Sequence, residues 1–159
     1  MRFKNIVVGA VLSVGAVIGS TAFAADADHT VQLFANIPSA SFHVVPSDAD
    51  WVGVAQPLLW RPATETLTTF SKNFDLKNTG GAINANLNVA AVLFDGANSI
   101  PLEVKMNGVT LSTVSTQIVA APAALPGLRA PLEIAAIKPG TGYVAGDYTA
   151  TVNIMFDAM

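Results

Sequence analysis

The sequence predicts an all-β protein: an antiparallel β-sandwich of immunoglobulin-like build behind a helical leader. Three observations carry this. Beyond residue 24 the apolar residues recur with period two, the spacing of a half-buried strand. Pro, Gly, Asn and Asp interrupt the apolar runs at short intervals, as turns between strands require. No segment after the leader sustains a helical period over several turns. Strands at this spacing in one small domain fold into two packed antiparallel sheets. The combined disulfide and buried-tryptophan signature of antibody domains is absent, and the chain has no cysteine. Burial and backbone pairing alone must hold it together.

The leader comes first. Arg2 and Lys4 form a short positive region, "IVVGAVLSVGAVIG" is an apolar core, and Ala22-Phe23-Ala24 is a small-x-small site. That order predicts an export signal cut between Ala24 and Ala25. As a membrane anchor the apolar run is short for ~30 Å of hydrocarbon, and no basic flank follows it. The expected domains are a signal peptide at 1–24, an N-terminal extension at 25–38 and the sandwich at 39–159. Without Arg2 and Lys4, six of the eight basic residues remain against eleven acidic ones, a net charge of −5. This argues against nucleic acid or an anionic membrane surface as partner. At 52% hydrophobic and 12% charged, the composition implies a surface that something else covers.

The strands follow in order. In "HTVQLFANIP", Val31, Leu33, Ala35 and Ile37 alternate with Thr30, Gln32, Phe34 and Asn36, and Pro38 ends the run by removing a donor. This segment has two readings. It is the first strand of its own sandwich, or it is supplied to another copy by β-strand addition, filling a groove that an incomplete sandwich leaves open. "SFHVV" and "TLTTFSKNFDLKNT" read as strands. "INANLNVAAVLFDG" places Ile83, Ala85, Leu87, Val89, Ala91 and Leu93 on one face and Asn84, Asn86 and Asn88 on the other. "PLEVKMNGVTLST" carries a hairpin at Asn107-Gly108, the pair that best tolerates positive φ at both turn positions. A two-residue loop there sets Met106 opposite Val109 and Val104 opposite Leu111, all on one face. "STQIVAA" and "PLEIAAI" are further strands, and "APAALPGLRAP" is a loop crossing between sheets. "GDYTATVNIMFDAM" turns Tyr148, Ala150, Val152, Ile154 and Phe156 inward.

Chemistry finds little support. No G-x-S-x-G, H-E-x-x-H or P-loop occurs. His29 with Asp26 and Asp28 reads as a polar leader rather than a metal site, and His43 as a rim residue. Gly140, Gly142 and Gly146 have the wrong spacing for a phosphate loop and no helix after them. Glu103, Glu133 and Asp147 are scattered, with no paired acid and base. Trp51 and Trp60 suit packing at a core or sheet edge better than stacking on a sugar. The sequence predicts no enzyme, no metal and no cofactor.

Three stretches resemble a known family: the leader with "HTVQLFANIPSA", the middle "IPLEVKMNGVTLSTVSTQIVAAPAALPG", and the end "PLEIAAIKPGTGYVAGDYTATVNIMF". They look like the major subunits of alternate chaperone–usher fimbriae, the colonisation-factor or coli surface antigen type pilins of Gram-negative bacteria. The absence of cysteine fits that family. Residues 48–70, with both tryptophans, depart from its pattern. The resemblance implies a structural fimbrial subunit that polymerises with other copies of itself by donor-strand exchange and supports adhesion. It implies export to the periplasm, a periplasmic chaperone, an outer-membrane usher, a tip adhesin and a final place in a cell-surface fimbria. On this analogy Val31, Leu33, Ala35 and Ile37 are the donor-strand residues. The competing class is a monomeric secreted binding module, for example for a glycan, whose first strand folds back on its own body.

Overall fold

Asn107 and Gly108 sit at φ 53° and 76°, so the chain reverses within two residues, as the sequence requires. Around this hairpin the computed structural model, which describes residues 40–159, builds its larger sheet. The hairpin strands are β7 (Ser99–Met106) and β8 (Val109–Thr110), with Met106 opposite Val109. The Leu111 amide donates to the Val104 carbonyl at 2.8 Å, which extends the expected register. The other members are β1 (Phe42–Pro46), β4 (Phe70–Asn78), β6 (Val92–Phe94) and β10 (Leu128–Ala136), and the order is β1-β4-β10-β7-β6. The smaller sheet is β11-β5-β9, from β5 (Ile83–Leu87), β9 (Thr116–Val119) and β11 (Ile154–Ala158). A two-stranded ribbon, β2 (Trp60–Arg61) with β3 (Thr66–Leu67), stands apart between β1 and β4 in sequence. Every named pairing is antiparallel.

The core lies between the two sheets. Leu76, Val104 and Met106 from the larger sheet meet Ile83, Ala85 and Ile118 from the smaller, all buried. Asn78 is the one buried polar residue among those described. Its amide donates to the Ala82 carbonyl and its oxygen accepts from the Gly80 amide, so both ends are satisfied and the β4–β5 turn is fixed. Gly81 in that turn lies against the Met159 carbonyl, and a Cβ there would collide with it.

Three expectations need correction. "INANLNVAAVLFDG" is not one strand. The chain leaves the smaller sheet after Leu87 and enters the larger at Val92, and Val89, stranded in the crossing, is 56% exposed. Ala91 and Leu93 are buried beyond the crossing. Ala150 is exposed, because regular pairing of the last segment begins only at Ile154. "APAALPGLRAP" is not wholly loop. It contains one helical turn, α1 (Ala121–Ala124), with a proline in its first turn, and β10 already begins at Leu128. Pro131 is tolerated inside β10 because its carbonyl accepts from the Asn107 amide at the hairpin turn. The donor it lacks would serve only that last rung.

The expected signal peptide and its cleavage at Ala24 and Ala25 lie outside the described residues. So do the Asp26, Asp28 and His29 group and the extension with Val31, Leu33, Ala35 and Ile37.

Candidate functional site

The strands of the smaller sheet have unlike surroundings. β5 has β9 on one side and β11 on the other, whereas β11 has β5 alone among the described residues. The Asn153 carbonyl accepts from Asn88 and the Met159 amide donates to Ala82, so odd-numbered residues of this segment turn their backbone toward β5. Antiparallel pairing alternates. The N–H and C=O groups of Ile154, Phe156 and Ala158 therefore face the open edge.

Beside that edge runs an apolar groove of about 280 Å³. Phe70 and Phe74 of β4 and Leu132 and Ile134 of β10 form one wall, and Val152, Ile154 and Phe156 form the other. Phe74 and Phe156 face each other across it, their ring centroids 6.1 Å apart. Trp51 closes one end, edge-on to Phe70 at 5.3 Å and to Phe74 at 5.7 Å. Its indole N–H is buried without a hydrogen-bond partner. Phe74 and Leu132 are buried, but Phe70, Ile134, Ile154 and Phe156 are only half-buried. No charged side chain lines the groove. It offers an apolar lining next to a row of backbone donors and acceptors, and an extended apolar segment would satisfy both.

A larger depression of about 490 Å³ lies by His43, Lys77 and Arg129, but it is shallow and of mixed polar and apolar lining. Its ion pair is already complete: Arg129 donates twice to Asp75, at 2.8 and 3.2 Å. That hydrogen-bonded guanidinium holds the Asp75 carboxyl below its ordinary value. The groove is the better candidate because its surface is the one left unsatisfied.

The other residues weighed in the sequence scatter. Trp51 serves the groove, whereas Trp60 is exposed and packs edge-on to Tyr143 at 5.6 Å. Gly142, at φ 84°, sits in a turn closed by its amide on the Pro139 carbonyl. Glu103 pairs with Lys105 at 2.8 Å, Glu133 is exposed opposite Lys105 in the β10–β7 register, and Asp147 is exposed. Sequence reasoning missed Phe70, Ile134 and Trp51 as groove residues. The available signal was that Phe70, Phe74 and Ile134 hold the inward phase of their strands.

A sequence profile of the CS1 type fimbrial major subunit family matches residues 27–157. The chain belongs to that family. Its fold is similar to the solved structure of the CooA pilin subunit from enterotoxigenic Escherichia coli, with a TM-score of 0.56. The two share 20% identity over 74% of this chain and 86% of that one. No curated protein sequence matches the chain. This fimbrial subunit is thus a structural pilin with an incomplete immunoglobulin-like sandwich, and its destination is a surface fimbria made of copies of itself. A monomeric glycan-binding module is not favoured. No helix among the described residues is long and apolar enough to cross a membrane.

Proposed function

We propose that the subunit polymerises by donor-strand exchange, residues 25–38 of one copy filling the groove beside β11 of the next. The observation that carries this is the open outer edge of β11 with a charge-free groove alongside it. Val31, Leu33, Ala35 and Ile37 face into the groove, and Thr30, Gln32, Phe34 and Asn36 face out, Phe34 being the one large apolar residue on that face. Burying Val31, Leu33 and Ile37 contributes roughly 5–8 kcal/mol of transfer free energy before ordering costs. The contact joins unlike surfaces of two identical chains head to tail, and repeated without closing into a ring it gives a filament.

The remaining parts follow from the same surface. Cleavage between Ala24 and Ala25 frees the extension. An unfilled groove invites aggregation, so a periplasmic chaperone covers it until an outer-membrane usher exchanges the chaperone for the next subunit. A tip adhesin ends the fibre and supports adhesion.

The direct test uses the body, residues 39–159, and a peptide of residues 29–38. Alone the body is expected to aggregate or melt at low temperature, and the peptide, added or fused after Met159, to rescue it. A body that is monomeric and whose melting temperature ignores the peptide contradicts the reading.

A further inference from the structure

We propose that the excursion formed by residues 47–69 is a second contact between neighbouring copies, made with the subunit whose strand fills the groove. It rests on the donor-strand reading above. β1 and β4 are antiparallel neighbours with Pro46 opposite Phe74, and a short turn would join them. Instead more than twenty residues intervene, paired only in the small β2–β3 ribbon.

The composition of this excursion is unusual for a surface loop. Residues 52–60, "VGVAQPLLW", carry no charge. Val52, Val54, Leu59 and Trp60 are 52%, 59%, 61% and 48% exposed. Local turns shape the stretch, the Val52 amide donating to Ala49 at 3.0 Å and the Val54 amide to Trp51 at 3.3 Å. A contiguous charge-free apolar stretch held in water is characteristic of an interaction site. Its foot is anchored in the groove, where Trp51 packs on Phe70 and Phe74 and Val52 joins the lining.

The partner follows from direction. Asn78, at the end of β4, is tied to Ala82, which accepts from Met159 at the end of β11. β4 and β11 therefore run in the same sense along the groove, with Phe70 and Val152 at the other end, where Trp51 and Val52 sit. Every pairing in the described fold is antiparallel, the stronger arrangement. A strand added antiparallel to β11 leaves the groove at that Trp51 and Val52 end. Its last inward residue is Ile37, and β1 of the same chain begins at Phe42. Five residues reach at most about 17 Å. The body of the donating copy is thus held at the lip that carries the exposed apolar loop.

The chain has no cysteine, so a single introduced one is unique. Full-length Val54→Cys is assembled into fibres, coupled to a photoreactive maleimide, irradiated and mapped by mass spectrometry. The expected adduct joins residue 54 to the region around residues 39–46 of a second copy. Alongside it, the double variant Val54→Asp, Leu59→Asp is expected to give fibres that dissociate in denaturant about tenfold faster. The melting of its peptide-complemented body is expected to be unchanged, since both positions are exposed. Fibres of unaltered dissociation rate, with no adduct between copies from Cys-substituted Val54, overturn the second contact. Leu33→Lys separates the two levels: normal fibres from it sink donor-strand exchange itself, and this inference with it. Loss of fibres from it, with the Asp variant as stable as the parent, sinks only the inference.

Discussion

β5 and β11 carry the same message in sequence and meet different fates. Ile83 and Ala85 of β5 are 0% exposed, while Ile154 and Phe156 of β11, in the same inward phase, stay half-buried. Period decides which face a side chain takes. Burial depends on what packs over and beside the strand: β9 also has one strand neighbour, yet Ile118 and Val119 on it are buried, whereas β11 borders the groove. One end of the sandwich is therefore a finished core, built on Leu76, Val104 and Met106, and the other is a core with a slot in it. The finished part gives the subunit its fold, and the slot is where the proposed donor strand would enter.

The largest expected effect is loss of the polymer. Leu33→Lys drives an ammonium into a groove without a charged partner, forfeiting ~1.5–3 kcal/mol of burial and adding a desolvation cost. Gln32→Lys places the same charge on the opposite face. Electron microscopy of cell-surface fibres is expected to find none for Leu33→Lys and near-normal numbers for Gln32→Lys, at equal periplasmic levels. Equal outcomes would void the assignment of faces.

Next comes the contrast between the two ends. Leu76→Ala removes a fully buried side chain and is expected to cost about 2–5 kcal/mol with or without the donor peptide. Phe156→Ala removes a half-buried wall of the groove, so its cost is expected to be larger in the complemented body than in the empty one. Denaturant melts of the four combinations read this as a coupling between Phe156 and the peptide that Leu76 lacks.

The smallest effect lies in the Asp95 turn, next to the Phe94–Thr149 bridge. The Asp95 carboxylate accepts from the Asn98 amide at 2.6 Å, the Asn98 side chain at 2.9 Å and the Ala97 amide at 2.8 Å. These bonds pull its pKa down to about 2. A carboxyl whose folded value is depressed contributes stability fully above its ordinary value and loses it as pH falls through the folded one. The Asn98 amide resonance is therefore expected to titrate between about pH 4 and pH 2, and Asp95→Asn to abolish that step.

How much of this was legible depends on what each feature needs. The β7–β8 hairpin was readable because Asn107-Gly108 fixes turn and register together. The strand character of β5, β10 and β11 was readable from alternation. Which sheet a strand joins was not, as "INANLNVAAVLFDG" illustrates: the inward phase survives the crossing at Val89, and period alone does not register the change of sheet. The α1 turn escaped because four residues carry no helical period. The sequence raised a groove only as the expected counterpart of the apolar extension at Val31 to Ile37, which lies outside the described residues. Its walls at Phe70, Ile134 and Trp51 were not, since they depend on distant strands meeting.

The most direct test of an open β11 is amide exchange, residue by residue, in the body with and without the peptide of residues 29–38. Without it, Phe156 and Ala158 are expected to exchange fast while Met155 and Asp157, bonded toward β5, are protected. With it, Phe156 and Ala158 are expected to become protected too, while the β5 amides stay as they were. Equal protection of Met155 and Phe156 in the empty body, or no change on adding the peptide, would contradict the account.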